Sequence, residues 1–375
     1  METQFDVLAV GSGCAGAVSA RALAEKGRRV LVLERRDHVG GNAYDCLDEY
    51  GILIHKYGPH IFHTNDKRVF DFLSRFTRWR DYQHRVIANI PCDGGRMTYP
   101  VPFNLTSLET AFGEAEGKKL GDKLIAAYGA EKKVTILELR QNPDPEIAAL
   151  ADYVYEHVFV HYTMKQWGQR PEEIDPNTTA RVPVFLSRDD RYFQDAYQGM
   201  PLEGYTSLFQ RMLAHPHLEV RLDVDARPFL AEFKGPVIYT GQVDELFDFK
   251  FGPLPYRTLD FRFETLPRDD FQGCGTVNYT VDEDFTRITE FKHLTGQEVP
   301  GLTTIVKEYS RAYTGGSDEI PYYAIINPSN NALYAKYQAE AEQHPNLHLL
   351  GRLAEYKYYN MDAISARALE LADRL

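Results

Sequence analysis

Phe5-Asp6-Val7-Leu8-Ala9-Val10-Gly11-Ser12-Gly13-Cys14-Ala15-Gly16 is a short apolar run that ends in glycines at the spacing GxGxxG. Ala17 to Lys26 continues with helix-forming composition and stops at Gly27, and Arg29 to Leu33 reads as a second buried strand ending in Glu34. Strand, glycine turn, helix and strand together make one βαβ unit. Each glycine has its own physical reason: Gly11 permits the tight turn, Gly13 lets the main chain approach a pyrophosphate, and Gly16 lets the helix pack closely. The helix start faces the anion with free N–H groups. Glu34 stands where a carboxylate can accept hydrogen bonds from an adenosine ribose. The pattern predicts a dinucleotide cradle and by itself leaves the nucleotide open.

Working outward, Leu218 to Val224 and Pro236 to Gly241, which ends in glycine, read as further buried strands, as does His348 to Leu350, followed by Gly351-Arg352 and a helix from Met361 capped by Asn360. The start of that helix would stabilise negative charge on a reduced ring, although an ordinary docking helix has the same composition. From Asn104 to Trp167 the pattern is helical. Thr106 with Glu109 and Thr135 with Glu138 have capping-box spacing, and Ile147, Leu150, Ala151, Val154, Val158, Phe159 and Tyr162 share one helical face. From Tyr256 to Tyr313 Leu259, Phe261 and Phe263 alternate with Asp260, Arg262 and Glu264, the signature of an antiparallel sheet with one wet face.

The expected class is therefore α/β. A Rossmann-type domain takes residues 1–80, 203–246 and 325–375, a small helical domain takes 103–167, and an antiparallel β-sheet domain takes 81–102, 168–202 and 247–324. The polar stretch from Arg181 through Phe193 suits a mobile substrate loop. A chain of 375 residues is too long for one core. Its net charge of −12 argues against a nucleic-acid partner, so any phosphate site must be focal. Four scattered cysteines, none in a CxxC pair, indicate neither zinc nor a disulfide framework, and His60 with His63 lacks the spacing of a metal site, so no metal is expected. The acidic start and glycine-broken apolar run do not read as a signal peptide, and the expectation is a cytoplasmic protein with no membrane partner. The 24 Tyr and 21 Phe supply many flat faces for stacking.

Glu34-Arg35 followed by Gly40-Gly41-Asn42 resembles the extended motif of flavoproteins related to glutathione reductase and the amine oxidases, which favours FAD over NAD. Farther along, Gly58-Pro59-His60-Ile61-Phe62-His63-Thr64, Tyr162-Thr163-Met164-Lys165-Gln166-Trp167-Gly168, Ala180-Arg181-Val182-Pro183-Val184, Asp189-Asp190-Arg191-Tyr192-Phe193, Phe285-Thr286-Arg287 and Pro321-Tyr322-Tyr323 are similar, with the glycine motifs, to the bacterial UDP-galactopyranose mutase family. The resemblance runs essentially end to end. It implies an isomerase that interconverts UDP-galactopyranose and UDP-galactofuranose, in which N5 of reduced FAD attacks the anomeric carbon and a flavin-galactose iminium permits ring opening.

By the same resemblance Arg181, Arg287 and His60 are catalytic, the arginines by contacting the pyrophosphate and His60 by lying beside the flavin. Substrate contacts fall to Val158, Tyr162, Thr163, Trp167, Arg181, Tyr192, Phe193, Arg257, Arg287, Tyr323 and Tyr358, with Tyr322 adjacent to Tyr323 as an alternative. Cofactor contacts fall to Gly11, Gly13, Cys14, Ala15, Gly16, Glu34, Arg35, Gly41, Asn42, His60, Ile61, Val224, Gly351, Arg352, Tyr359, Asn360, Met361, Asp362 and Ile364. Asn360 departs from the aspartate of many bacterial members, and Val158 from an aromatic near uracil. A homodimer and an external flavin reductant such as NAD(P)H are further implications. The rival is an FAD-dependent oxidoreductase of the amine-oxidase type, against which the two arginines and paired aromatics argue.

Overall fold

The computed structural model describes residues 4–173 and 182–375. Arg181 and part of the stretch expected to be a mobile loop lie outside the described residues. The chain divides into two compact units, the first from Met1–Tyr82, Asp195–Tyr256 and Pro321–Leu375, the second from Gln83–Gln194 and Arg257–Ile320.

The first unit holds a five-stranded, all-parallel sheet in the order Leu218–Arg221, Val30–Leu33, Val7–Val10, Val237–Tyr239, Leu347–Leu349. The central strands read as unbroken apolar runs because both faces are covered: Val7, Leu8, Ala9 and Val30 to Leu33 are all buried. Helix Cys14–Glu25 packs against the C-terminal helix Met361–Arg374. This is the βαβ arrangement expected from the glycine turn.

The second unit carries a sheet in the order Tyr256–Leu266, Thr303–Ala312, Arg287–Glu290, Thr276–Tyr279, Val86–Cys92, Gly95–Val101. It is antiparallel except where Val86–Cys92 runs parallel to Thr276–Tyr279. Those two strands are far apart in sequence, so no hairpin constrains their direction. The helical insertion surrounds a core that includes Leu108, Leu124, Ile136, Leu150 and Val154. Its first helix, Leu105–Phe112, is capped by Asn104, whose side chain accepts from Ser107 N while the Ser107 hydroxyl meets Asn104 N. Thr106, expected to cap, lies inside that helix; Asn104 has the extended backbone a cap needs, so the helix starts before Thr106. Thr135 does cap, accepting from Glu138 N. The apolar face read from Ile147 to Tyr162 is one helical run with a π-helical turn at Tyr155–Val160 between helices Pro145–Val154 and His161–Trp167. No helix among the described residues is long and apolar enough to cross a membrane.

Candidate functional site

In the first unit the carboxyl ends of the parallel strands open into a cavity of about 260 Å³ lined by Gly11, Gly13, Cys14, Ala15, Glu34, Arg35, Gly41, Asn42, His60, Val224, Gly351, Arg352, Tyr359, Met361 and Ile364. Ligands of open α/β sheets bind at this end of the strands. Of the residues expected around a cofactor, Gly16, Ile61, Asn360 and Asp362 do not line it. Gly16 has a packing position instead: a Cβ there would lie 1.9 Å from Gly11 O. Gly11 has φ +99°, and a Cβ on it would meet Thr240 Oγ1 at 2.2 Å. The main chains at Gly13 and Gly41 touch, since a Cβ on Gly41 would stand 2.9 Å from Gly13 Cα. The sequence GGN is thus the second wall of the glycine turn.

Helix Cys14–Glu25 starts at Gly13 without a side-chain cap and without an acidic residue in its first turn, so its opening N–H groups are left for an anion. Glu34 accepts from Ser12 N at 2.9 Å and Ser12 Oγ at 2.7 Å through one oxygen and from Arg36 N at 3.0 Å through the other. It holds the glycine turn as well as facing the cavity. Arg36 also lines the cavity; its Nη2 donates to Asn42 Oδ1 at 2.9 Å, while its buried Nη1 has no partner among the described residues. A cradle that admits no Cβ at Gly11 or Gly41, an uncapped helix start and an orphaned buried donor together fit a dinucleotide. Arg36 was missed because the sequence pattern does not say which of two adjacent arginines turns inward.

At His60, Nδ1 lies 2.8 Å from Gly58 O, and the main-chain N–H donates to His55 Nδ1 at 3.0 Å. His55 is fully buried, and burial pushes its pKa down to about 4. Burial likewise pushes the Cys14 thiol up to about 12, so it stays protonated. Asp45 caps helix Gly204–Leu213 from a distance, accepting from Tyr205 N at 2.6 Å and Thr206 N at 2.8 Å. Asn360 stands at the N-cap of the last helix, but its side chain accepts from the Tyr358 hydroxyl at 3.0 Å instead of capping. Tyr323 and Tyr358 stack with centroids 6.1 Å apart, and the Arg352 guanidinium lies 4.4 Å from the Tyr358 ring. Tyr322 is buried, which leaves Tyr323 as the member of the pair that joins this group.

In the second unit Tyr192 and Phe193 meet edge to face at 4.8 Å, and His84, not singled out from the sequence, stacks on Phe193. Val158 is buried in the helical core and Thr163 is also buried; Tyr162 and Trp167 are half-buried. Arg287 Nε donates to Glu308 Oε1 at 2.7 Å, and Glu308 is fully buried with its other oxygen unpartnered among the described residues. Arg257, expected to contribute charge to a substrate, holds main chain. Its Nη2 donates to Lys165 O at 2.9 Å and its Nε to Gln166 O at 3.1 Å. It is buried, which lowers its pKa, and it holds the carbonyl end of helix His161–Trp167. Asp270, Glu290 and His293 also come together, but Glu290 is already committed to Phe271 N, Gln272 N and Thr303 Oγ1.

A family model described as UDP-galactopyranose mutase matches residues 157–358, more than half of the chain, and one for NAD(P)-binding Rossmann-like domains matches residues 10–76. The chain belongs to the UDP-galactopyranose mutase family. The family is one of isomerases. Among its relatives, dTDP-fucopyranose mutase of Escherichia coli is 37% identical over 98% of this chain and 97% of its own. UDP-galactopyranose mutase of Mycoplasma pneumoniae is 35% identical over 99% of this chain and 96% of its own. A crystal structure of reduced UDP-galactopyranose mutase shares the fold with a TM-score of 0.72, covering 99% of this chain and 93% of that one at 17% identity.

Proposed function

We propose that this protein interconverts UDP-galactopyranose and UDP-galactofuranose by a ring contraction without net redox change, with FAD as its cofactor. Whole-length similarity to mutases carries the reading, and the cavity walled by Gly11, Gly13 and Gly41 supports the cofactor. Bound and reduced, FAD would supply the nucleophile, N5, for the anomeric carbon.

The chain's own residues bind, orient and balance charge. The uncapped start of helix Cys14–Glu25 and Arg36 would hold the FAD pyrophosphate and ribose region. Arg287 and Arg181 would receive the charge that develops on departing UDP, a contribution of the preorganised kind. Glu308 fixes the guanidinium of Arg287 through Nε, and so orients the charge that would meet phosphate. Tyr192 and Phe193 offer perpendicular flat faces for the base, and Tyr323 and Tyr358 carry hydroxyls for the diphosphate. His60 would lie beside the flavin with Nδ1 committed to Gly58 O. The product supplies cell-surface glycan synthesis, and a cytoplasmic homodimer served by an NAD(P)H-linked reductant completes the reading.

The Escherichia coli relative favours one second reading, dTDP-fucopyranose as substrate, with the same chemistry on a thymine nucleotide and a 6-deoxy sugar. Flavin-loaded protein under dithionite, given UDP-galactofuranose and dTDP-fucofuranose in parallel and followed by chromatography, decides between them. Faster conversion of the UDP sugar supports the proposal, faster conversion of the dTDP sugar transfers it to the second reading, and no conversion of either rejects both.

A further inference from the structure

Lys165 belongs to helix His161–Trp167, whose family-like segment has Tyr162 and Trp167 at its ends. Its ammonium donates to four main-chain carbonyls of the connection between strands Thr276–Tyr279 and Arg287–Glu290: Tyr279 O, Asp282 O at 2.9 Å, Glu283 O at 3.3 Å and Phe285 O at 3.2 Å. Three protons are shared among four acceptors, a geometry that a compact ammonium on a flexible stem can meet and a planar guanidinium cannot. A second cation holds the end of the helix that carries Lys165. Arg257 holds Lys165 O and Gln166 O, and Ser310 Oγ adds a 2.7 Å bond to Gln166 O.

The connection that Lys165 gathers leads directly to Arg287. Phe285 is two residues before it, Thr286 donates through both N and Oγ1 to Glu308 O, and Arg287 Nε then meets Glu308 Oε1. One chain of contacts therefore runs from the Trp167 turn, through Lys165 and the 279–285 connection, to the Arg287 guanidinium.

We propose that Lys165 is a positioning residue: by gathering the carbonyls of residues 279–285 it holds Arg287 in register with the Trp167 turn, so that nucleotide diphosphate binding depends on a group that does not touch the nucleotide. The proposal rests on the UDP-sugar reading given above. Burial lowers the Lys165 pKa to about 8, against the pull of Asp282, Glu283 and Asp284 on the same connection. Asp282 is itself held by Arg96 at 2.6 and 2.9 Å, His161 on the same helix faces Glu156 at 3.7 Å, and Arg257 is the charge at the helix end. Above pH about 8 the amine is neutral and has two protons for four carbonyls.

The test is UDP binding to the full-length, flavin-loaded protein by titration calorimetry between about pH 7 and pH 9, a window that brackets the shifted amine. Wild-type affinity should fall several-fold through pH 8. Lys165→Met should bind about tenfold more weakly at pH 7 and show no further fall, with flavin content and Tm close to wild type. If that variant does not fold, Lys165→Arg keeps its charge throughout and should lack the fall. A Lys165→Met protein that matches wild type in affinity and pH profile, or a Lys165→Arg protein that keeps the fall, overturns the coupling alone. Wild-type protein that binds no UDP at any pH overturns the substrate assignment, and the coupling with it.

Discussion

The two units carry their candidate anion-binding groups in opposite materials. In the first, the candidate phosphate cradle is main chain from which side chains are excluded: Gly11, Gly16 and Gly41 are so close to neighbouring backbone or to Thr240 that a methyl group would collide. In the second, charge is carried on long side chains whose partners are buried. Lys165 is saturated by carbonyls, Arg257 donates to two more, and Arg287 is backed by the fully buried Glu308. The first kind of site fails when atoms are added and the second when charge is removed. Their variants should therefore separate cleanly in what they lose.

The largest effect belongs to the cradle. Gly16→Val pushes a side chain into Gly11 O and should abolish flavin retention, read as flavin absorbance per protein after purification. Normal flavin content in this variant would mean that the turn does not form the wall of the cofactor cavity. Next comes Arg287→Met. Losing the guanidinium should lower kcat by roughly a hundredfold or more. It also leaves a buried carboxylate alone, at a cost of about 3–5 kcal/mol in denaturant unfolding. Adding Glu308→Leu to that variant should recover much of the stability and none of the activity, which divides the structural part of the pair from its part in the reaction.

That division also marks what was legible in the sequence. The cradle could be read because a close main-chain approach admits only glycine, so the requirement is written in residue type and spacing: the GxGxxG turn, the following helix and Glu34 all stand where expected. The helical insertion and the strand Tyr256–Leu266 were equally plain as elements, although Phe263, on the apolar side of the alternation, is exposed. Arg257 was not legible. That its guanidinium holds the carbonyls of Lys165 and Gln166 is a long-range contact that residue type does not record. The same holds for Arg36 against Arg35, and for Thr106 against Asn104, where two residues of capping type compete within one turn. Asp45 capping a helix that starts at Gly204, and His55 holding His60, are links that no local pattern records.

Smaller effects sharpen the contrast inside the first unit, where buried polar groups support the cradle from behind. His55 has a folded pKa of about 4 against about 6.5 when unfolded, so the unfolded chain binds the extra proton in between. Stability should fall as pH drops from about 6.5 towards 4, by about 3 kcal/mol in all. His55→Asn, which keeps an acceptor for His60 N, should flatten that slope in denaturant midpoints taken across the window. An unchanged slope would assign the acid sensitivity to other groups. Asp45→Ala removes the distant cap of helix Gly204–Leu213 and should cost about 1–2 kcal/mol while flavin is retained.

The central claim is that a Rossmann flavin cradle here serves an isomerisation and not an oxidation. Its most direct test is turnover of UDP-galactofuranose by the flavin-loaded protein in oxidised and in dithionite-reduced form, with the nucleotide sugars and the flavin spectrum followed together. The account predicts conversion to the pyranose only by the reduced protein, with the flavin still reduced when the reaction stops. Conversion at equal rate by the oxidised protein, or flavin reoxidised in step with product, would contradict it.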